Sequence, residues 1–255
     1  MKVRVMSDLH LEFIESNVHP GEGDVLILAG DICTSYDVCT PKGQHKKINT
    51  FFNQCVGGYN KVYYVMGNHE HYNGYFDSTE KILRKYLPKG ITLLQNQSDL
   101  YNGVHFVGAT MWTGFENGNK EVMEYAHRNM NDYHVIRSKD GILVPDQTLQ
   151  SHRDTLSWFK QCIPTLNGPV VMITHHAPTP FSFDLGYREE KAKPAYVNDM
   201  TEFIKYNENI KLWAHGHVHT TNDYYVNQCR VISNSFGYHG YETNYAFDPL
   251  MEVEV

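Results

Sequence analysis

Eleven side chains that can bind a metal or move a proton fall into five short clusters. They are Asp8 and His10; Asp31; Asn68, His69 and Glu70; His175 and His176; and His215, His217 and His219. The donors are imidazole, carboxylate and one amide, with no thiolate. Imidazole with carboxylate suits Mn, Fe, Zn, Ni or Co. A calcium site would be nearly all oxygen, and a structural zinc site would normally use cysteine. Eleven donors are too many for one ion, whereas about seven suit two ions that share a bridging carboxylate. Such a pair, roughly 3.5–4 Å apart, lowers the pKa of a bound water for in-line attack on phosphorus and clamps the phosphoryl oxygens. Two divalent ions against two aspartates leave the site positive, which attracts a phosphate.

Each cluster alone has a plainer explanation. Gly30-Asp31 is a common turn, Asn68 suits a turn, Glu70 could be a solvated charge, and His175-His176 could be a surface pair. The three alternate histidines 215, 217 and 219 follow the strand period, so they leave one face of an extended segment. A metal claw and a polar edge would look alike there. The conjunction of all five clusters argues for metal.

The elements that must position them can be read from the flanking residues. Each cluster follows a short apolar run: "VRVM" (3–6), "DVLILA" (24–29), "KVYYVM" (61–66), "PVVMIT" (169–174) and "IKLWA" (210–214). Runs of this kind predict buried strands. Helical patterns lie between them at 44–56, 77–87, 146–163 and 199–207. Alternating strands and helices predict a largely parallel sheet, with the ligand site beyond the strands' carboxyl ends, where all five clusters fall. Further strands at 91–95, 104–112, 230–233 and 250–255 predict a second, partly antiparallel sheet packed on the first. The expected class is α/β, in one domain over residues 1–255.

Composition narrows the function. The 255 residues carry a formal charge of −7. That disfavours duplex nucleic acid held through its phosphates. The five cysteines form no CxxC, the N-terminus lacks a signal-peptide pattern, and the apolar runs are too short to span a bilayer. The expectation is a cytoplasmic protein with no membrane association; the oligomeric state is not legible.

Taken together, Asp8-x-His10, Gly30-Asp31, Gly67-Asn68-His69-Glu70, His175-His176 and Gly216-His217-Val218-His219 resemble the five blocks of the calcineurin-like metallophosphoesterases. The resemblance implies a four-layer α/β/β/α sandwich with two mixed sheets and a dinuclear centre at the strand ends. It implies one metal on Asp8, His10, Asp31 and His219, and a second on Asp31, Asn68, His175 and His217. His69 would serve as general acid or transition-state stabiliser. Mn or Fe is favoured among the possible ions. His175 is favoured over His176 as ligand, with His176, Glu70 and His215 left to support the ligands or touch substrate. The absence of the Gly-Asp-x-Val-Asp-Arg-Gly pattern speaks against a protein Ser/Thr phosphatase. The segments 130–137, 194–200 and 234–255 are similar to small bacterial and phage phosphoesterases, whose tail frequently has a Pro-Arg pair where this chain has Ser235 and Phe236.

The loop at 178–199 is expected to overhang the site, with Arg188, Tyr187 and Tyr196 as candidate substrate contacts. Tyr72, Tyr238 and His239 are further candidates. The leading expectation is hydrolysis of a small phosphomonoester or phosphodiester, a nucleotide included. Alternatives are a nuclease on single-stranded or short nucleic acid, and a non-catalytic scaffold that keeps the fold.

Overall fold

A computed structural model describes residues 1–13, 18–183 and 192–255. The first sheet contains β1 (Lys2–Met6), β2 (Gly23–Ala29), β3 (Tyr59–Val65) and β4 (Ile91–Leu93), all parallel. The second contains β5 (Gln97–Tyr101), β6 (Val104–Ala109), β7 (Val170–Thr174), β8 (Ile210–His215), β9 (Asn222–Val226) and β10 (Cys229–Ser233). A last strand, β11 (Glu252–Glu254), adds antiparallel to β1 and closes the first sheet in the order β11-β1-β2-β3-β4. The second sheet runs β9-β10-β8-β7-β6-β5; its four inner strands are parallel and both edges antiparallel.

Three apolar layers hold the sheets. Val3, Val5, Val25, Ile27, Tyr63 and Val65 of the first sheet pack on Phe106, Val171, Ile173, Leu212 and Ala214 of the second. The alternate residues Met6, Leu26, Leu28, Val62 and Tyr64 face outward against α2 (His45–Gly58) and α3 (Thr79–Tyr86). A short helix, α1 (Ser35–Cys39), precedes them, capped by Thr34, whose hydroxyl accepts from the Asp37 N–H. On the far side, Val107, Met172 and Trp213 pack against α6 (Pro145–Cys162) and α7 (Thr201–Tyr206) through Phe159, Ile163 and Ile204. This is the four-layer sandwich, and the period-2 alternation of β1–β3 builds it.

Three findings differ from the sequence reading. Of the strands expected in the second sheet, β4 and β11 belong to the first, β4 parallel to β3 and β11 antiparallel to β1. The five blocks do not share one sheet: three end β1, β2 and β3, and two end β7 and β8. The site therefore lies where the two sheets meet. In addition, the segment 112–149 holds its own apolar cluster around Trp112, Phe115, Ala126, Tyr133 and Leu143. It includes α4 (Lys120–Asn129) and the short α5 (Asp132–Val135), neither of which the pattern at 113–145 predicts. Among the described residues, no helix is long and apolar enough to cross a membrane.

Candidate metal centre

Parallel register sets the three first blocks level: Met6 pairs with Leu28, and Leu28 with Tyr64. Ala214 beside Ile173 does the same for the last two. Beyond those pairs the chain leaves strand geometry. Asp8, His10, Asp31, His217 and His219 all have positive φ, between 45° and 71°. A non-glycine residue in that region costs roughly 1 kcal/mol or more, and such strain persists only where the surroundings over-determine it. The alternating histidines are thus not one strand face. β8 ends at His215, and His217 and His219 sit in left-handed turns. At Gly216 a Cβ would lie 2.6 Å from Asp8 Oδ2, so a side chain there would push Asp8 away.

The ligand candidates converge in two buried lobes. In the first, ligand atoms of Asp8, His10 and His219 lie within 4.8 Å of one another; in the second, those of Asp31, His175 and His217 do. Asp31 lies between the lobes. Its Oδ2 is 3.3 Å from His175 Nε2 and 4.0 Å from His10 Nε2. Asn68 turns its Oδ1 to 3.0 Å from His175 Nε2, because its Nδ2 donates to Asp132 Oδ1 at 2.8 Å.

The donor set fits cations. Glu12 and Glu242 carboxylates stand at 3.3 Å from Nδ1 of His10 and His219, so each Nδ1 carries the hydrogen. The two Nε2 atoms then face each other 3.2 Å apart as lone pairs. In the second lobe His175 Nδ1 donates to Ala29 O at 2.9 Å, which leaves Nε2 facing two oxygen acceptors. Acceptor against acceptor is repulsive unless a positive charge lies between them, either protons or metal ions. The titration follows this. Burial pulls His175 down, but the Asp31 carboxylate lifts it to about 10. His219 is likewise lowered by burial and raised to about 9 by Asp8 and Glu242. Burial alone would lift Asp31, yet His175 and His69 hold it well below the usual carboxylate range.

His69 flanks the two lobes, and a ring nitrogen of it also lies within 4.8 Å of ligand atoms of His10 and Asp31, a third grouping between the lobes. Its Nδ1 lies 2.9 Å from Glu12 Oε1, its Nε2 lies 2.9 Å from the Tyr238 hydroxyl, and its ring stacks on Tyr72 at 4.0 Å. Its N–H donates to Asp31 Oδ1 at 2.8 Å, which fixes the third block to the second. Glu70 accepts from the N–H groups of Asp31, Ile32 and Gly67 and from the Tyr64 hydroxyl. It therefore holds the two loops together and does not face the lobes. His176 packs between Trp112 and His217, and burial with neighbouring His175 lowers it to about 3. His215 is buried with Nε2 2.9 Å from Ser182 Oγ, and burial lowers it to about 4.

Tyr196 stacks on His217 at 5.3 Å, so the end of the 178–199 loop does overhang the centre. Tyr187 and Arg188 lie outside the described residues. Ser235 is buried against Ser7, with their hydroxyls 3.0 Å apart, and Phe236 packs on the outer layer of the first sheet. The sequence reading missed Glu12, Asp132 and Glu242. Glu12 follows His10 by two residues and shares its block. Asp132 and Glu242 are distant in sequence and carry no spacing signal.

A 320 Å³ cavity opens on the lobes, lined by Asp31, Asn68, Asp132, Tyr196, His217 and His219. An 820 Å³ cavity opens on the other side of His69.

Comparisons with known proteins bear on the fold and the family. Uncharacterized protein L509 of Acanthamoeba polyphaga mimivirus is 26% identical over 285 aligned positions, covering 99% of this chain and 96% of that protein. Phosphopantetheinyl hydrolase (PptH) from Mycobacterium tuberculosis has a similar structure, with TM-score 0.66 at 17% identity over 93% of this chain and 89% of that one. A candidate 5'-nucleotidase from Staphylococcus aureus, in complex with alpha-ketoglutarate, matches with TM-score 0.52 at 14% identity over 91% of this chain and 48% of that one. At these identities the two structural likenesses concern the fold. A model of the calcineurin-like phosphoesterase family matches residues 1–221. The chain belongs to the calcineurin-like phosphoesterase family and is a metal-dependent hydrolase of phosphoric esters.

Proposed function

We propose that this protein hydrolyses a small phosphomonoester or phosphodiester, a nucleotide included, with two divalent ions. Asp8, His10, Asp31 and His219 would hold one ion, and Asp31, Asn68, His175 and His217 the other, with Asp31 common to both sets. Mn or Fe suits the mixed imidazole and carboxylate set. When bound, the ions supply positive charge for the phosphoryl oxygens and lower the pKa of a water. The observation that carries this reading is the arrangement of lone pairs in both lobes, Nε2 against Nε2 and Nε2 against oxygen.

His69 protonates the leaving oxygen. Glu12 accepts its Nδ1 hydrogen, so Nε2 is the atom that gives up a proton. Burial lowers the imidazole's pKa, but Asp31 and Glu12 raise it above its ordinary value, which supports an imidazolium acid. Asp132 fixes the Asn68 amide, and Glu70 fixes the loops of Asp31 and Asn68. The five free cysteines suit a reducing compartment, so we place the protein in the cytoplasm.

The test is a hydrolysis panel on protein reconstituted with Mn, Fe, Zn or Ni: a monoester, a diester, cyclic nucleotides and labelled oligonucleotides. Turnover of a small ester is expected. No turnover of any ester with any of the four metals would overturn the reading, and turnover confined to oligonucleotides would replace it with a nuclease.

A further inference from the structure

The 820 Å³ cavity beside His69 is walled by rings: Phe13, Tyr72, Tyr238, His239 and Tyr241. Tyr72 is stacked against His69 at 22° between planes, and Tyr238 lies over His10 at 4.4 Å. Phe13 meets Tyr238 edge-on at 5.8 Å. The hydroxyls of Tyr72 and Tyr238 are engaged with Asp132 and His69, so the cavity meets chiefly carbon and ring faces. At the mouth, Phe13 is 46% exposed and Tyr241 is 91% exposed. Large apolar side chains left in water beside a reaction site mark a surface that binds something apolar. Thr34, Asn73 and Asn131 add neutral donors and acceptors along the walls.

Charge narrows the ligand further. Among the described residues, neither this cavity nor the 320 Å³ one beside it is lined by a lysine or arginine. Glu12 stands in the wall, its Oε1 2.9 Å from His69 Nδ1. A second phosphate on the leaving side would meet that carboxylate.

Because the acid candidate His69 lines the larger cavity and not the smaller, the larger cavity is where a leaving group would sit. Resting on the phosphoesterase reading above, we infer that the leaving group carries an uncharged planar ring, aryl or nucleobase, held between these aromatic walls. Stacking of a base on an aromatic side chain changes affinity by about fivefold to a hundredfold.

Two esters of similar leaving-group basicity, phenethyl phosphate and propyl phosphate, separate ring recognition from chemistry. On Mn-reconstituted protein, kcat/KM is expected to be at least tenfold higher for phenethyl phosphate. Phe13→Ala and Tyr241→Ala, both at exposed positions, are expected to cut that ratio fivefold or more. Calorimetry supplies an arm free of turnover: adenosine and phenethyl alcohol are titrated into metal-free protein, with ribose as the control. Binding of adenosine alone assigns the wall to a nucleobase; binding of both assigns it to rings generally. A ratio near one that neither variant moves, with no binding of either ring compound, overturns this inference and leaves the hydrolase standing. Failure to hydrolyse either ester or any member of the wider panel, with ring binding retained, overturns the hydrolase reading alone.

Discussion

Glu12 Oε1 sits 2.9 Å from Nδ1 of His69. The same oxygen is 3.3 Å from Nδ1 of His10, so one carboxylate fixes the tautomer of a metal-ligand candidate and of the acid candidate together. Glu12→Gln keeps the shape and removes the charge. The expected loss in kcat is roughly 10- to 100-fold. The loss should be greatest for esters with basic leaving groups, because those need the proton most. His69→Ala should show the same leaving-group dependence with metal content intact. A uniform loss across a leaving-group series would show that Glu12 acts only through the metal.

Asp31 reaches toward both lobes, with 3.3 Å to His175 and 4.0 Å to His10. Asp31→Asn is expected to lower metal content at both positions and abolish nearly all activity. The check is elemental analysis after dialysis. Two ions retained at wild-type affinity would refute the bridging role.

Asp132 is buried, and its Oδ2 has no hydrogen-bond partner among the described residues. Its Oδ1 receives Asn68 Nδ2 and the Tyr72 hydroxyl. Asp132→Ala frees the amide to rotate. Affinity for the second ion should fall about 10- to 100-fold, with the first nearly unchanged. Stepwise metal titration by calorimetry distinguishes this from a general loss of fold, which would weaken both steps.

The metal-free protein should lose stability at alkaline pH. His175 and His219 have folded pKa values of about 10 and about 9, both above the ordinary 6.5. A raised folded pKa contributes stability fully below the unfolded value, and the contribution disappears as pH rises through the folded one. Melting temperature in EDTA is therefore expected to fall between pH 6.5 and 10. Saturating metal replaces the protons and should flatten that fall. An EDTA curve no steeper than the metal-loaded one would contradict it.

How much of this could be read from the sequence depends on the range of the interactions. The strands before each block were legible because Val3, Val5, Val25 and Ile27 carry a local signal of burial. The edge strands β5 and β9 were not, since "QSDLY" and "NDYYV" are largely exposed or half-buried and show little alternation of apolar and polar residues. Helix α4 buries only Val122 and Ala126, too few for a stripe. The block residues announced themselves through type and order. Their split over two sheets did not, because pairing partners are chosen in space. The alternation of His215, His217 and His219 suggested a strand face, but positive φ at the last two ends the strand first. Asp132 supports Asn68 across 64 residues, a relation that no short window contains.

The two sheets carry one further consequence. Each lobe draws residues from both: Asp8 and His10 with His219, and Asp31 and Asn68 with His175 and His217. An ion in either lobe would act as a rivet through the sandwich. His10 and His219 are 209 positions apart, so an unfolded chain would have to close a very long loop before offering both to one ion. Metal capture is therefore expected to follow folding. Once seated, the rivets would oppose separation of the sheets and slow unfolding more than they speed folding.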